Sequence, residues 1–300
     1  MSHVIIIGGG AAGMMAAIAA AGAGHKVCIY EKNEKLGKKI YITGKGRCNV
    51  TNACDTEELF RNVVHNAKFL YSSFYTFTNT DVMDLIEKHG CPLKTERGGR
   101  VFPVSDKSSD VIHALTVALR ELGVEVELHE EVSGVLAEDG HVSGVRLKRG
   151  QKVVPADAVI VTTGGLSYPS TGSTGDGYRF ATDLGHTITE LSPALVPFEA
   201  KEAVCKDLQG LSLRNISVQI RNGKKVLYEE FGEMLFTHFG VSGPVLLSAS
   251  SYVASTLKKR PLTLSIDLKP ALSEEQLDAR ILRDFEEAKN KQYKNSLNHL

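Results

Sequence analysis

The sequence predicts an α/β fold in which a buried parallel sheet carries an inserted β-meander and is followed by a second, β-rich domain expected to hold the substrate. Three observations predict it. Residues 4–10 read VIIIGGG, four apolar residues running straight into glycine, and a strand without polar alternation is one buried on both faces, as in a parallel sheet covered by other layers. A second apolar strand, Val27–Tyr30, follows a helical stretch from Ala11 to Ala23, which makes a βαβ opening. After SPALVPF, residues 192–198, the texture changes to alternating strands such as Ser217–Ile220 and Lys225–Tyr228.

Each element has its local reason. The first helix is ended by Gly22 and Gly24. Thr80 is placed to cap a helix bearing Val82, Met83, Leu85 and Ile86, with Gly90 as its stop. Another helix starts at Ser108 or Ser109, repeats Val111, Ile112, Leu115, Ala118, Leu119 and Leu122 at helical spacing, and ends at Gly123. From Val124 the chain reads as a β-meander with turns at Asp139-Gly140 and Arg149-Gly150. Ala158–Val161 is again continuously apolar, so it returns to the parallel sheet. A second glycine-rich stretch, GGLSYPSTGSTGDGY (164–178), leads into a short helix ended by Gly185. Pro193 and Pro197 mark a boundary between domains 1–192 and 193–300. In the second domain Ser273 and Gln276 form a capping box that opens a last helix running toward Leu300.

Composition narrows the function. Three hundred residues, 42% of them hydrophobic, suffice for two ordinary cores, and 35 basic residues cancel 35 acidic ones. Without a global field to hold them, neither nucleic acid nor an anionic membrane is expected as a partner, any such contact needing a local patch, and a small-molecule substrate is expected. Five widely spaced cysteines without a C-x-x-C pair fit neither a disulfide framework nor a zinc site, so the expectation is a reducing, cytoplasmic setting. The chain enters its first strand at Val4 with no charged leader, and no apolar run reaches bilayer length. The motifs of zinc peptidases, P-loop NTPases and α/β-hydrolases do not occur.

Gly8-x-Gly10-x-x-Gly13, between a buried strand and a helix, is the Rossmann-like dinucleotide fingerprint. Gly8 permits the tight turn, Gly10 lets a pyrophosphate approach the backbone, and Gly13 lets helix and strand pack closely. Glu31, at the end of the second strand, is placed to accept from a ribose hydroxyl. NAD and FAD share these features. The basic, glycine-bearing loop LGKKIYITGKGRCNVTN (36–52) tilts the choice to FAD, because such a loop can hold a pyrophosphate and the polar edge of a flavin. The expected chemistry moves a hydride through the flavin between a small organic substrate and either a nicotinamide or oxygen. A nicotinamide would have to dock transiently, since no second fingerprint is present to hold NAD(P)H.

Six motifs in order, GGGAAG, GKKIYITGKGRCNVTN, GGRVFPVS, TTGGLSYPSTGSTGDGY, SPALVPF and LFTHFGVSGP, resemble the BaiN/YhiN-like family of bacterial FAD-dependent flavoproteins over essentially the whole chain. Some members of that family are named aminoacetone oxidases or bile-acid enone reductases. The resemblance implies a fold of the two-dinucleotide-binding type and an FAD-dependent oxidoreductase. It implies FAD contacts at Gly8, Gly10, Ala11, Ala12, Gly13, Glu31, Lys32, Lys39, Gly44, Gly46, Arg47, Cys48 and Asn49. Val132 would meet the adenine, and Thr163, Gly164 and Gly165 would close over the cofactor. Family members carry a closing segment beside the flavin that has no counterpart before Leu300, so a truncated form with weakened FAD affinity is expected.

Arg100 and Tyr168, in loops that the resemblance sets near the flavin, and His238, from the second domain, are the catalytic candidates, with Arg97 beside them. A carbonyl, amine or enone substrate needs an electrophilic donor and a proton source. Two alternatives stand beside this reading. Cys48 and Cys54 could form the redox pair of a flavin disulfide oxidoreductase, although their C-x5-C spacing is one residue longer than that class uses. The chain could also bind flavin without catalysis.

Overall fold

A computed structural model describes residues 1–287. The chain divides into two compact units, Met1–Thr189 and a second from Glu190 on.

The first unit is built on a four-stranded parallel sheet. Its order is Ala158–Val161, β1 (His3–Ile7), β2 (Lys26–Glu31) and Glu125–Leu128. Alternate residues of β1 enter different cores, as period-two side chains must. Val4 and Ile6 pack with Met14 and Ala17 of α1 (Ala11–Gly22) and with Val111, Ile112 and Leu115 of the helix Ser108–Glu121. Ile5 and Ile7 pack on the other face with Val132, Val145, Leu147 and Phe180. The sheet is therefore sandwiched between helices and a three-stranded antiparallel sheet made of Val132–Glu138, His141–Leu147 and Val153–Pro155.

Two expectations change here. Glu125–Leu128, expected as the first strand of the meander, pairs in parallel with β2, so the meander proper starts only at Val132. The helix Asn79–Lys88 is capped by Thr78 and not by Thr80: Asp81 donates its N–H to the Thr78 hydroxyl at 3.1 Å, and Thr78 donates its own N–H to the Asp81 carboxylate at 2.7 Å. An acid three residues after the threonine makes this reciprocal pair, and Thr80 has no such partner.

A small sheet that periodicity did not reveal joins Thr51–Asn52, Arg100–Pro103 and Leu93–Glu96, with Arg100–Pro103 in the middle. Its strands are too short for an alternation signal.

In the second unit a five-stranded antiparallel sheet runs Phe198–Glu199, Gly240–Ser242, Lys225–Thr237, Ser212–Asn222 and Thr263–Asp267. The helix Pro244–Leu257, absent from the sequence reading, packs Val245, Leu246, Ala249 and Val253 with Ile216, Val218, Ile220 and Met234 of that sheet. Proline at its start is compatible with a helix because the first N–H groups lack partners in any case. The expected capping box is formed: Ser273 and Gln276 exchange backbone-to-side-chain bonds of 3.0 and 3.2 Å at the head of Glu274–Glu287. The rest of its expected run toward Leu300 lies outside the described residues. Among those residues no helix is long and apolar enough to cross a membrane.

Candidate dinucleotide site

The carboxyl edge of the parallel sheet opens into a cavity of about 390 Å³ built from the first unit. Its floor is the turn from β1 into α1. Gly8 sits at φ +106°, and a Cβ there would lie 2.7 Å from the Thr162 carbonyl oxygen. Gly13 cannot carry a side chain either, because its Cβ would collide with the Gly8 carbonyl. Gly10 is the exception, with nothing within 4 Å of the Cβ position. That open space faces the first turn of α1, which has neither a side-chain cap nor an acidic residue. Met14 makes the first backbone bond of the turn, to Gly10, so the N–H groups ahead of it have no helical acceptor. Unpaired donors at a helix N-terminus form an anion cradle.

At the end of β2, Glu31 is 7% exposed and lines the cavity. Its carboxylate accepts the Gly9 N–H at 2.7 Å, the Asn33 N–H at 2.8 Å and the Asn33 amide at 2.7 Å. Two lysines reach across to the loop that follows Ala158–Val161. Lys32 pairs with Asp176 at 2.7 Å and bonds Thr174 at 2.8 Å. Burial alone would raise the Asp176 pKa, but the bonds from Lys32 and Thr174 outweigh it and hold the carboxyl below its ordinary value. Lys39 donates to the Ser173 hydroxyl at 2.6 Å and the Ser167 carbonyl at 2.8 Å. Among the described residues no acid pairs with Lys39, so its charge is free to balance a phosphate. The Thr163 hydroxyl is buried without a partner at the same wall.

The structure thus brings Gly8, Gly10, Ala11, Ala12, Glu31, Lys32, Lys39, Val132, Thr163 and Gly164 to one cavity, with Gly13 packed behind it. Gly165 follows the lining loop, and a Cβ there would lie 3.3 Å from the Tyr178 hydroxyl. Gly44, Gly46, Arg47, Cys48 and Asn49 do not line the cavity. Arg47 is bound to Glu96 and to Asp106 at 2.7 Å, and its guanidinium lies 4.1 Å from the Phe102 ring centre, which fastens the loop to the small sheet. Gly44, at φ +56°, makes the turn that this loop requires. Cys48 is 6% exposed in the core, where burial raises its pKa and disfavours the reactive thiolate. Cys54 lies beyond the short strand Thr51–Asn52, and both cysteines are free thiols.

The catalytic candidates lie on three different elements. Tyr168 is 65% exposed at φ +53° on the loop that supplies Thr171 and Ser173 to the cavity wall. Arg100 opens the central strand of the small sheet and donates to the Arg97 carbonyl at 3.2 Å. His238 lies in the turn between two strands of the second unit, edge-on to Phe239. Sequence reasoning missed Asn33, Thr171, Asp176 and Phe180, all of which line the cavity. An asparagine two residues after the strand-end acid was the available signal for the first.

These donors fit the adenosine diphosphate half of a dinucleotide: an uncapped helix start with open space for phosphate, a lysine for charge and a strand-end carboxylate for ribose. Comparison with known proteins agrees. Residues 2–256 match the profile of the family described as "HI0933-like protein Rossmann domain". The chain is 32% identical over 282 residues to a protein of Clostridium scindens named 3-dehydro-bile acid delta(4,6)-reductase, covering 92% of this chain and 67% of that one. It is also 32% identical over 248 residues to an Escherichia coli protein named Ribosomal RNA dihydrouridine synthase, covering 83% of this chain and 60% of that one. The chain thus spans about two thirds of the length of these relatives. Among solved structures, a 3-ketosteroid delta1-dehydrogenase of Sterolibacterium denitrificans shares the fold, with a TM-score of 0.51 at 16% identity over 71% of this chain and 62% of that one.

Proposed function

Because the chain belongs to the HI0933-like family and builds this cradle, we propose that it acts as an FAD-dependent oxidoreductase reducing a carbon–carbon double bond conjugated to a carbonyl. The observation that carries the cofactor half of this reading is the convergence of the uncapped α1 N-terminus, Lys39 and Glu31 on one cavity. The substrate half rests on the names of the relatives, which describe the same bond change. A 3-keto bile acid with 4,6 unsaturation is a conjugated dienone. Dihydrouridine is uridine reduced at C5–C6, a bond conjugated to the C4 carbonyl.

In uridine the β-carbon C6 receives a hydride and the α-carbon C5 a proton. In a dienone the hydride goes to an electrophilic carbon of the conjugated chain, β or δ to the carbonyl, and the proton to a carbon of the resulting enolate. In each case one double bond is lost and two hydrogens are added. When bound, the flavin supplies the hydride, replenished from NAD(P)H. The chain supplies binding and proton handling. The N–H groups at the start of α1 and Lys39 hold the pyrophosphate, and Glu31 holds the ribose. Tyr168 is the proton donor that the geometry supports best: it is exposed and belongs to the loop that lines the cavity, and among the described residues its hydroxyl has no partner. Arg100 remains the first unit's candidate for polarising the substrate carbonyl.

A second reading, with RNA as the carrier of the double bond, is favoured by the 32% identity to the protein named for ribosomal RNA. The charge balance argues only against a global field, so the expectation that nucleic acid is excluded has no support from the relatives. One experiment tests both readings. The purified chain is titrated with FAD, reduced anaerobically with NADH or NADPH, and offered a steroid dienone or a uridine-containing RNA. Flavin absorbance that bleaches with a nicotinamide and returns with one substrate supports the reading and selects the carrier. No flavin uptake by this chain or by a form extended to the relatives' length overturns it.

A further inference from the structure

Glu31 is the residue that every reading of the cavity assigns to the ribose, yet its carboxylate is already heavily engaged. An ionised carboxylate offers about four acceptor directions. Oε1 is filled by two donors of one residue, the Asn33 N–H at 2.8 Å and the Asn33 amide at 2.7 Å. Oε2 takes the Gly9 N–H at 2.7 Å. One acceptor direction is left, on the oxygen fixed by the glycine-rich turn.

Asn33 is itself held from the far side. Its amide also donates to the Thr171 carbonyl at 3.2 Å, and its carbonyl oxygen accepts from Lys38 at 3.3 Å. Gly172, at φ +97°, presses so close that a Cβ there would lie 2.6 Å from the Asn33 amide nitrogen. The loop after Ala158–Val161 therefore clamps Asn33, and Asn33 clamps Glu31.

We propose that Asn33 is a positioning residue for cofactor recognition: by filling Oε1 it turns Glu31 so that Oε2 alone reads one ribose hydroxyl of the adenosine moiety. This rests on the dinucleotide reading above. It goes further in assigning recognition to a single hydroxyl and in making that recognition depend on a residue that need not touch the ligand. A side chain that merely braced the loop would affect folding, and the choice between ribose and deoxyribose would not depend on it.

The test compares ADP, 2′-deoxy-ADP and 3′-deoxy-ADP by isothermal titration calorimetry, each affinity ratio taken within one protein so that any misfolded fraction cancels. In the unsubstituted chain one deoxy analogue binds about tenfold more weakly than ADP, the value of a hydrogen bond to a charged acceptor. In Asn33→Leu that ratio falls to about one while the ratio for the other analogue is unchanged, and Glu31→Gln/Asn33→Leu loses nothing further. Asn33→Ser, which is smaller and cannot reach Oε1 as the amide does, gives the same collapse should the leucine variant fail to fold. If Asn33→Leu and Asn33→Ser keep the full ratio, or if the unsubstituted chain binds all three nucleotides equally, the proposal is overturned and the dinucleotide reading stands. Failure of the unsubstituted chain to bind ADP at all removes both.

Discussion

The stretches 8–13 and 44–49 are both rich in glycine, both lie near basic residues, and both were expected to touch the cofactor. Only the first lines the cavity. In the first stretch Gly8 and Gly13 are fixed by backbone collisions within the fold, but Gly10 faces empty space. In the second, Gly44 is needed for the chain's own turn, with the Asn49 nitrogen 2.9 Å from the Cβ position, and the basic residue Arg47 is spent on Glu96 and Asp106. Within the fingerprint, Gly10 is the position that leaves room for a ligand against the cavity wall.

The comparison can be broken at four points. The largest effect belongs to Gly13→Val, which drives a branched side chain into the Gly8 carbonyl and the Thr162 hydroxyl; a loss of about 3 kcal/mol or more in a urea unfolding titration is expected. Gly10→Val has ordinary backbone angles and free space, so its ligand-free melting temperature stays within about 2 °C of the parent. Its ADP affinity nevertheless falls by about a hundredfold, because the new side chain occupies the phosphate position. Normal binding by Gly10→Val would erase the distinction drawn between the two stretches.

Arg47→Met reverses that signature. The melting temperature falls as the loop loses its anchors on Glu96, Asp106 and Phe102, while ADP affinity changes by less than about threefold in calorimetry. A large loss of ADP binding with intact stability would return Arg47 to the site.

The smallest effect is electrostatic. Asp176 has a folded pKa depressed below its ordinary 3.8, so its pairing with Lys32 contributes stability above about pH 4 and loses it as pH falls through the depressed value. The melting-temperature difference between the parent and Asp176→Asn is accordingly constant from about pH 7 to pH 5 and closes below about pH 4. A difference that grew on acidification would place the stabilising interaction elsewhere.

The sequence by itself determined the local and the periodic. It located β1, α1 and β2, the return of Ala158–Val161 to the parallel sheet, the capping box at Ser273 and the fingerprint glycines, because each is set by neighbours a few residues away or by a repeat of two or 3.6. Tertiary structure decided what periodicity cannot see. Glu125–Leu128 has the alternation of a meander strand, and only its pairing with β2 made it part of the parallel sheet. The helix Pro244–Leu257 lies on a sheet whose apolar face needed a cover, a demand that arises only once the strands have assembled. Arg47 reads as a free cation until Glu96 and Asp106 arrive from 49 and 59 residues away. Asn33 reads as an ordinary turn residue until Thr171, 138 residues downstream, and Gly172 beside it close on it. Charge and glycine in a sequence state what a residue could do. What it does is fixed by the partners that long-range packing delivers, since a hydrogen bond or an ion pair fades within a few ångströms and carries no trace along the chain.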